Sequence, residues 1–375
     1  MQHPSQPAAP LTPHVKPMNE QERQLQYPAG DALPALGGAV SVAPGIKWIR
    51  MGLPFALDHI NLWLLRDEME APDGSGGKVK GWTVVDCCIT SPQTKAQWEQ
   101  IFANELDGFP ILRVLVTHMH PDHMGLAHWL CDRWHAPLWI SATDYQAAKL
   151  ASQSTTGFGG VAAAAFFASH GLTDPESQDK IKARTSYYPS MVPTVPASYS
   201  RLLDRGVVTI GGHDWQCISG YGHAPEHMAL YCNNLNVLIS GDMVLPRIST
   251  NISVYEHEPE ANSLALFLDS INKFNSLPAD ALVLPSHGRP FKGLHTRVKQ
   301  LQDHHRDRLA DVYIACQAEP QTAAQMLPVL FRRELDLHQT TFAMGESVAH
   351  LHHLWFAGKL RRRLGKDGVY RFGAI

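Results

Sequence analysis

The chain has 375 residues, a formal net charge of −3, 44% hydrophobic residues and 18% charged residues. These proportions fit a globular protein of one large domain plus a small one. They exclude a chain-wide electrostatic attraction to nucleic acid, though not a local basic patch, and no apolar run, Val161–Ala168 included, approaches the ~20 residues that span a bilayer.

The N-terminus, rich in Pro, lacks the basic start and apolar run of a secretory signal and predicts an extended or disordered arm over residues 1–25. Residues 45–90 read as strands. Ile60–Leu65 and Trp82–Asp86 bracket an enlarged turn around Gly74–Gly77. A helix is expected over Thr94–Leu106, a buried strand over Ile111–Val116, a helix over Met124–Trp134 and a strand over Pro137–Ile140. This alternation signals an α/β fold. Residues 143–200 break it and read as a helical insertion, which either caps a site, with Phe158, Phe166 and Phe167 as an apolar wall, or pads an edge. Strands resume at Gly206–Ile210, Trp215–Ser219, Ala229–Cys232 and Val237–Ser240 as an antiparallel meander. A helix over Pro259–Phe274 and a strand at Ala281–Leu284 follow. Beyond Gly288 three helices are expected, at Arg297–Gln317, Thr322–Phe331 and Met344–Leu360, before two short strands around Gly365–Gly368.

The chemistry begins in Thr117-His118-Met119-His120-Pro121-Asp122-His123, directly after a buried strand. The strand fixes the backbone, and the loop turns three imidazoles and a carboxylate toward one point. Such donors suit a borderline cation such as zinc better than magnesium or calcium. Three further features also close strands: Gly222-His223-Ala-Pro-Glu226-His227, Gly241-Asp242 and Ser286-His287-Gly288. Functional groups gather at strand ends in open α/β layers. His350 and His353 would share a helix face, and His304 and His305 lie in another helix, but no carboxylate or Cys pattern accompanies them and they read as packing or solvent-exposed residues.

The order H-x-H-x-D-H, G-H, G-D, S-H-G resembles the metallo-β-lactamase superfamily over residues 45–295, with Asp86 and Asn61 at matching positions. The resemblance implies an αββα sandwich with two divalent metal ions at one edge: zinc, or iron or manganese, which the same donors accept. His118, His120 and His223 would hold the first metal, and Asp122, His123 and His287 the second. Asp242 would bridge both, and Asp122 would orient a hydroxide between them. Asp86 and His227 are expected behind the ligands, hydrogen-bonded to them. The bridging Asp242 points away from the antibiotic-degrading enzymes and toward thioesterase, lactonase and nuclease branches, glyoxalase II-like among them. His120 stands where oxygen-reducing diiron members carry Glu, which leaves a single-iron sulfur dioxygenase as the redox alternative.

The ending resembles the winged-helix domain appended to one hydrolase branch, over residues 296–375. The expected organisation is therefore a hydrolase domain over 26–295 with its insertion at about 143–200, then a small winged-helix domain. The expected reaction is hydrolysis of a small acyl substrate such as a thioester or lactone, with Arg247 anchoring an anionic group or pairing with a buried carboxylate. The alternative is an endoribonuclease, with Arg361–Arg363, Lys366 and Arg371 contacting RNA phosphates. Six cysteines without a C-x-x-C pair read as free thiols of a reducing, cytoplasmic compartment. No membrane partner is expected, and an oligomer stays open.

Overall fold

The computed structural model describes residues 17–71, 76–153 and 159–375. Residues 1–16 of the expected arm, Gly74 and Ser75 of the first hairpin tip, and Phe158 lie outside that set.

The alternation of the first half builds a seven-stranded sheet in chain order: β1 (Ala39–Ala43), β2 (Ile46–Gly52), β3 (His59–Glu70), β4 (Lys78–Val85), β5 (Ile111–Leu115), β6 (Leu138–Ser141) and β7 (Ser200–Leu202). The first four strands pair antiparallel and the last four parallel. The parallel steps need crossovers. These are α1 (Pro92–Asn104), then α2 (Pro121–Met124) with α3 (Ala127–Trp134), then the helical insertion α4 (Ala142–Gln153), α5 (Gly160–Ser169), α6 (Pro175–Ala183) and α7 (Tyr187–Met191). α1 starts at Pro92, ahead of the expected Thr94, because Ser91 and Thr94 form a reciprocal capping box. The helix expected over 124–134 is two pieces, the first beginning at Pro121 inside the His-rich loop.

The second half builds a five-stranded sheet in the order β12 (Leu282–Pro285), β11 (Val237–Gly241), β10 (His227–Cys232), β9 (His213–Gly220) and β8 (Val207–Ile210). β8, β9, β10 and β11 form the antiparallel meander. β12 lies parallel to β11 after α8 (Ser263–Asn272). α8 begins later than expected. Backbone turns closed by Tyr255–Glu258 and Glu258–Ala261 hold Pro259 ahead of it, and the Ala261 carbonyl accepts from His352 Nδ1 at 3.0 Å. The chain ends with α9 (Leu294–Ala318), α10 (Ala323–Leu330), α11 (Leu337–Phe356) and the hairpin β13 (Leu360–Leu364)–β14 (Tyr370–Ala374). α11 starts earlier than expected because Asp336 caps it, accepting from Gln339 N at 2.8 Å.

Three apolar cores define four layers. Trp48, Trp63, Trp215, Leu230 and Leu284 fill the space between the sheets. Trp98, Met124 and Tyr188 pack α1 to α4 and α7 on the outer face of the first sheet. Phe267, Phe291, Val312, Met344 and Phe372 do the same for the second sheet. The result is helix–sheet–sheet–helix, an αββα sandwich. The three C-terminal helices and their hairpin share one core with α5 and α8, so they cover the second sheet instead of closing on themselves.

The expectation of an arm without fixed structure through residue 25 does not hold for its described end. Leu25 is buried, Gln26 pairs with Lys292, and Arg297 Nη1 donates to Gln21 Oε1 at 2.7 Å. Those contacts seat the segment against the start of α9.

Deleting residues 294–375 would uncover Leu264, Phe267, Ile271, Leu238 and Val283. At about 1.5–3 kcal/mol each, their burial is comparable with the ~5–15 kcal/mol that keeps a domain folded. The truncated chain is expected to be insoluble or to lose its cooperative thermal transition, read by calorimetry. A truncated chain that melts cooperatively near the full-length Tm contradicts the shared core.

Candidate metal centre

Every donor singled out in the sequence stands where a strand stops. β5 of the first sheet delivers His118, His120, Asp122 and His123, while β9, β11 and β12 of the second deliver His223, Asp242 and His287. The donors therefore meet on one edge between the sheets. Gly241 has a φ of 53°, and a Cβ there would run into the His227 ring. Only glycine lets Asp242 turn toward the other donors at this spot.

The atoms fall into two sets. In the first, His118 Nε2 lies 3.0 Å from His120 Nδ1 and 3.2 Å from His223 Nε2, which is 3.2 Å from Asp242 Oδ2. In the second, His287 Nε2 lies 3.4 Å from both Asp122 Oδ2 and Asp242 Oδ1, and His123 Nε2 lies 3.7 Å from the same two oxygens. Donors about 2.0–2.2 Å from a tetrahedral ion stand roughly 3.3–3.6 Å from each other. The observed spacings, 3.0–3.7 Å, bracket that shell. Asp242 contributes one oxygen to each set. Among the described residues, all three converging groups of possible metal donors lie at this centre.

The rings are aimed by bonds to their other nitrogens. His123 Nδ1 faces Asp86 Oδ2 at 2.8 Å, His223 Nδ1 faces the Asn251 carbonyl at 2.8 Å, and His287 Nδ1 faces the His59 carbonyl at 2.7 Å. In the neutral ring each such bond places the proton on Nδ1 and leaves Nε2 as the donor turned inward. Asp86, itself in the left-handed region at φ 62°, also accepts from Thr117 N at 2.8 Å, so one carboxylate positions both strand end and ring. His227 stands behind Asp242, where its Nε2 accepts from Asp242 N at 3.1 Å.

The donor set fits a cation. Among the described residues, His123 Nε2 and Asp242 Oδ1 are buried without a hydrogen-bond partner, a costly state for polar atoms. Burial and the neighbouring imidazoles hold His118 and His120 well below the usual histidine range, so both rings are neutral donors. Burial opposes protonation of His123 too, but the carboxylates of Asp86, Asp122 and Asp242 outweigh it and push the ring up to about 10. Positive charge is demanded at this point whether it comes as protons or as metal.

The remaining sequence candidates fare differently. Arg247 reaches the edge of the site, but its Nη1 is held at 3.0 Å by Glu22, the buried carboxylate of the N-terminal segment, and at 2.9 Å by the Pro17 carbonyl. His305 Nδ1 and His350 Nε2 approach to 3.4 Å, and burial first of all pushes the rings down to about 2 and about 4. They form a neutral packed pair.

Several residues that hold the centre carried no local signal. Asp144, opening α4, accepts from Met119 N at 2.7 Å and from Glu226 N at 2.5 Å, tying the loops of His118 and His223 together. Tyr188 Oη donates to the Met119 carbonyl at 2.5 Å. Asn61, unlike these two, was singled out by the family resemblance; it accepts from Trp48 Nε1 at 2.8 Å and donates to the carbonyls of Pro285 and Gly288 at 2.8 and 2.9 Å, which pins the His287 loop to the first sheet.

A cavity of about 790 Å³ opens from the donors. Its walls come from the loop between β2 and β3, from Tyr187, from residues 245–251 and from residues 331–346, the join of α10 to α11 and the first half of α11. Glu346 lies on that last wall; burial pushes its carboxyl up to about 7, against a hydrogen bond from Asn251.

Two sheets whose shared edge gathers five imidazoles and two carboxylates define a metal-dependent hydrolase on an αββα frame. The sequence model of the metallo-beta-lactamase superfamily matches residues 76–287, more than half of the chain, and that of the metallo-beta-lactamase-like C-terminal domain matches residues 309–375. The probable metallo-hydrolase YqjP of Bacillus subtilis (strain 168) is 23% identical over 316 residues, 81% of this chain and 90% of that protein. A beta-lactamase domain protein of Burkholderia ambifaria superposes with a TM-score of 0.89 at 52% identity, over 95% of this chain and all of the other. A metallo-beta-lactamase family protein of Thermus thermophilus shares the fold, with a TM-score of 0.69 at 24% identity over 89% of this chain and all of the other. The chain belongs to the metallo-β-lactamase superfamily and is one of its hydrolytic enzymes.

Asp86→Ala leaves the His123 ring and Thr117 N–H without their acceptor. Loss of such a partner typically costs about 10–100-fold in metal affinity. A metal-competition titration is expected to show one of two sites weakened by that factor and the other little changed. Equal affinity at both sites in variant and wild type contradicts the positioning role.

Proposed function

We propose that this hydrolase cleaves a small acyl substrate, a thioester or lactone, at a pair of divalent cations, zinc in the first instance, in the manner of the glyoxalase II-like branch. His118, His120, His223 and one oxygen of Asp242 would hold the first ion; Asp122, His123, His287 and the other oxygen of Asp242 would hold the second. Bound there, the ions supply a nucleophile from water at neutral pH and stabilise negative charge on the attacked carbonyl oxygen. The chain's own residues do the rest. Asp242 sets the separation of the two donor sets. Asp122, the half-buried carboxylate at the cavity floor, accepts the hydrogen bond that orients the attacking water. Asp86, Asn251 and the His59 carbonyl hold the imidazoles in their donor tautomers.

The observation that carries the small-substrate reading is the cavity. Its ~790 Å³ falls within the roughly 300–1,000 Å³ of small-molecule pockets, and its outer wall is the α10–α11 segment. We read the three C-terminal helices and hairpin as winged-helix-like in order, serving here as that wall. Two of the basic residues that favoured RNA are already engaged. Arg362 donates to both oxygens of Glu260 at 2.9 Å and lies 3.9 Å over the Trp355 ring, and Arg371 pairs with Asp367 at 2.6 Å. The two complete donor sets weigh against a single-iron dioxygenase. A cytoplasmic setting is proposed on the six cysteines, all free thiols. No described helix is long and apolar enough to cross a membrane.

Purified enzyme supplied with zinc is expected to turn over a thioester or a lactone, to lose that activity on chelation and to regain it on adding metal back. Asp122→Asn is expected to lower kcat by about 10²–10⁴-fold while retaining its thermal transition. Cleavage of single-stranded RNA with no acyl turnover overturns the proposal.

A further inference from the structure

The alternation of β2 puts Ile46 and Trp48 between the sheets and Ile49 and Met51 on the outer face. Arg50 follows Trp48 by two residues and so continues the inward row, at the end of the strand that meets the metal edge. A guanidinium at a position of core type needs a reason. Its Nη1 lies 3.4 Å from the carbonyl of Gly288, the residue after His287, and the side chain lines the same cavity as His287 and Asp242.

The other arginines on this cavity are occupied or exposed. Arg247 is paired with Glu22, and Arg289 with Asp31 at 2.6 Å; Arg333 is exposed and bonds Gln339 at 2.7 Å. Arg50 is half-buried and, among the described residues, has no carboxylate within ion-pair distance. Asp58, the acid whose charge it feels, is bonded to His59 Nδ1 at 2.6 Å. Burial, partly offset by Asp58 and reinforced by the charge of Arg289, lowers Arg50 to about 10, so it remains a cation at neutral pH. A charge kept in a cleft without a partner is destabilising. The planar fork of its donors fits the paired oxygens of a carboxylate or a phosphate.

We propose that Arg50 binds an anionic group of the substrate, so that the acyl compounds cleaved at this centre carry a carboxylate or a phosphate within reach of the scissile carbonyl. The assignment rests on the acyl-hydrolase reading for its reaction but not for its binding. It transfers to Arg50 the role that chain proximity to Asp242 suggested for Arg247.

The test compares phenyl thioesters of dicarboxylic acids, from succinic to adipic, with their neutral methyl esters and with phosphate-ended chains of matching length. Zinc-loaded wild type is expected to prefer an anionic member by about tenfold to hundredfold in kcat/KM, mostly through KM. Arg50→Gln is expected to bring the anionic-to-neutral ratio close to one, and Arg50→Lys to recover part of it. The better of the carboxylate and phosphate arms identifies the group. Dissociation constants of the matching thioethers, which cannot be hydrolysed, are measured alongside. A binding preference for the anionic thioether that Arg50→Gln removes supports the anchor even if no thioester turns over, in which case only the acyl-hydrolase reading fails. Equal binding of charged and neutral thioethers by wild type, no binding of either, or a preference that survives Arg50→Gln overturns it.

Discussion

The structure turns on one electrostatic constraint: carboxylates of both sheets are buried together and need positive charge between them. Asp86 comes from the first sheet and Asp242 from the second, with the half-buried Asp122 of the first beside them. Their joint pull on His123 shows the size of the demand, since it overcomes full burial of the ring. Protons answer it only on the side of His123 and His287, beside the carboxylates, while His118 and His120, 3.0 Å apart, are held neutral. Two divalent ions answer it with the imidazoles neutral, the form that His118 and His120 already hold. Metal binding and the closing of the sandwich edge are thus coupled, because no single sheet carries a full donor set.

Around that edge the fold works as a brace. Asn61 bonds Trp48 of the first sheet and the loop after β12 of the second. Asp144 does the same for the loops after β5 and β9. Both side chains are fully buried, so each bond is made where an unmet partner would cost most. The C-terminal helices add a second kind of support. They seal the outer face of the second sheet, and their α10–α11 join walls the cavity. Stability and substrate enclosure come from one element, which ties the tail to the chemistry without requiring it to touch the metals.

Much of this was legible in the residue order, for a physical reason. Ligands that act at strand ends must sit next to apolar runs, so His118 to His123, His223, Asp242 and His287 could be picked from adjacency alone. The meander and the terminal hairpin were legible because their turns use residues that tolerate positive φ, as Gly211 at 60° and Gly212 at 78° do. What could not be read is whatever long-range packing decides. Asp144 looks like any polar residue opening a helix. Arg50 becomes conspicuous only once the face of β2 is known. Of the two roles open to Arg247, anion anchor or partner of a buried carboxylate, only the structure decides: it is near Asp242 in the chain, but Glu22, more than two hundred residues earlier, takes its charge. The tail's three helices were visible as elements, while their sharing of a core with α5 and α8 was not.

The bridging position of Asp242 is the point on which the account stands, and anomalous scattering from crystals of the purified protein tests it directly. The account predicts two metal peaks per chain, about 3.5–4 Å apart, with one oxygen of Asp242 on each. A single peak, or two peaks with Asp242 bound to only one of them, would contradict it.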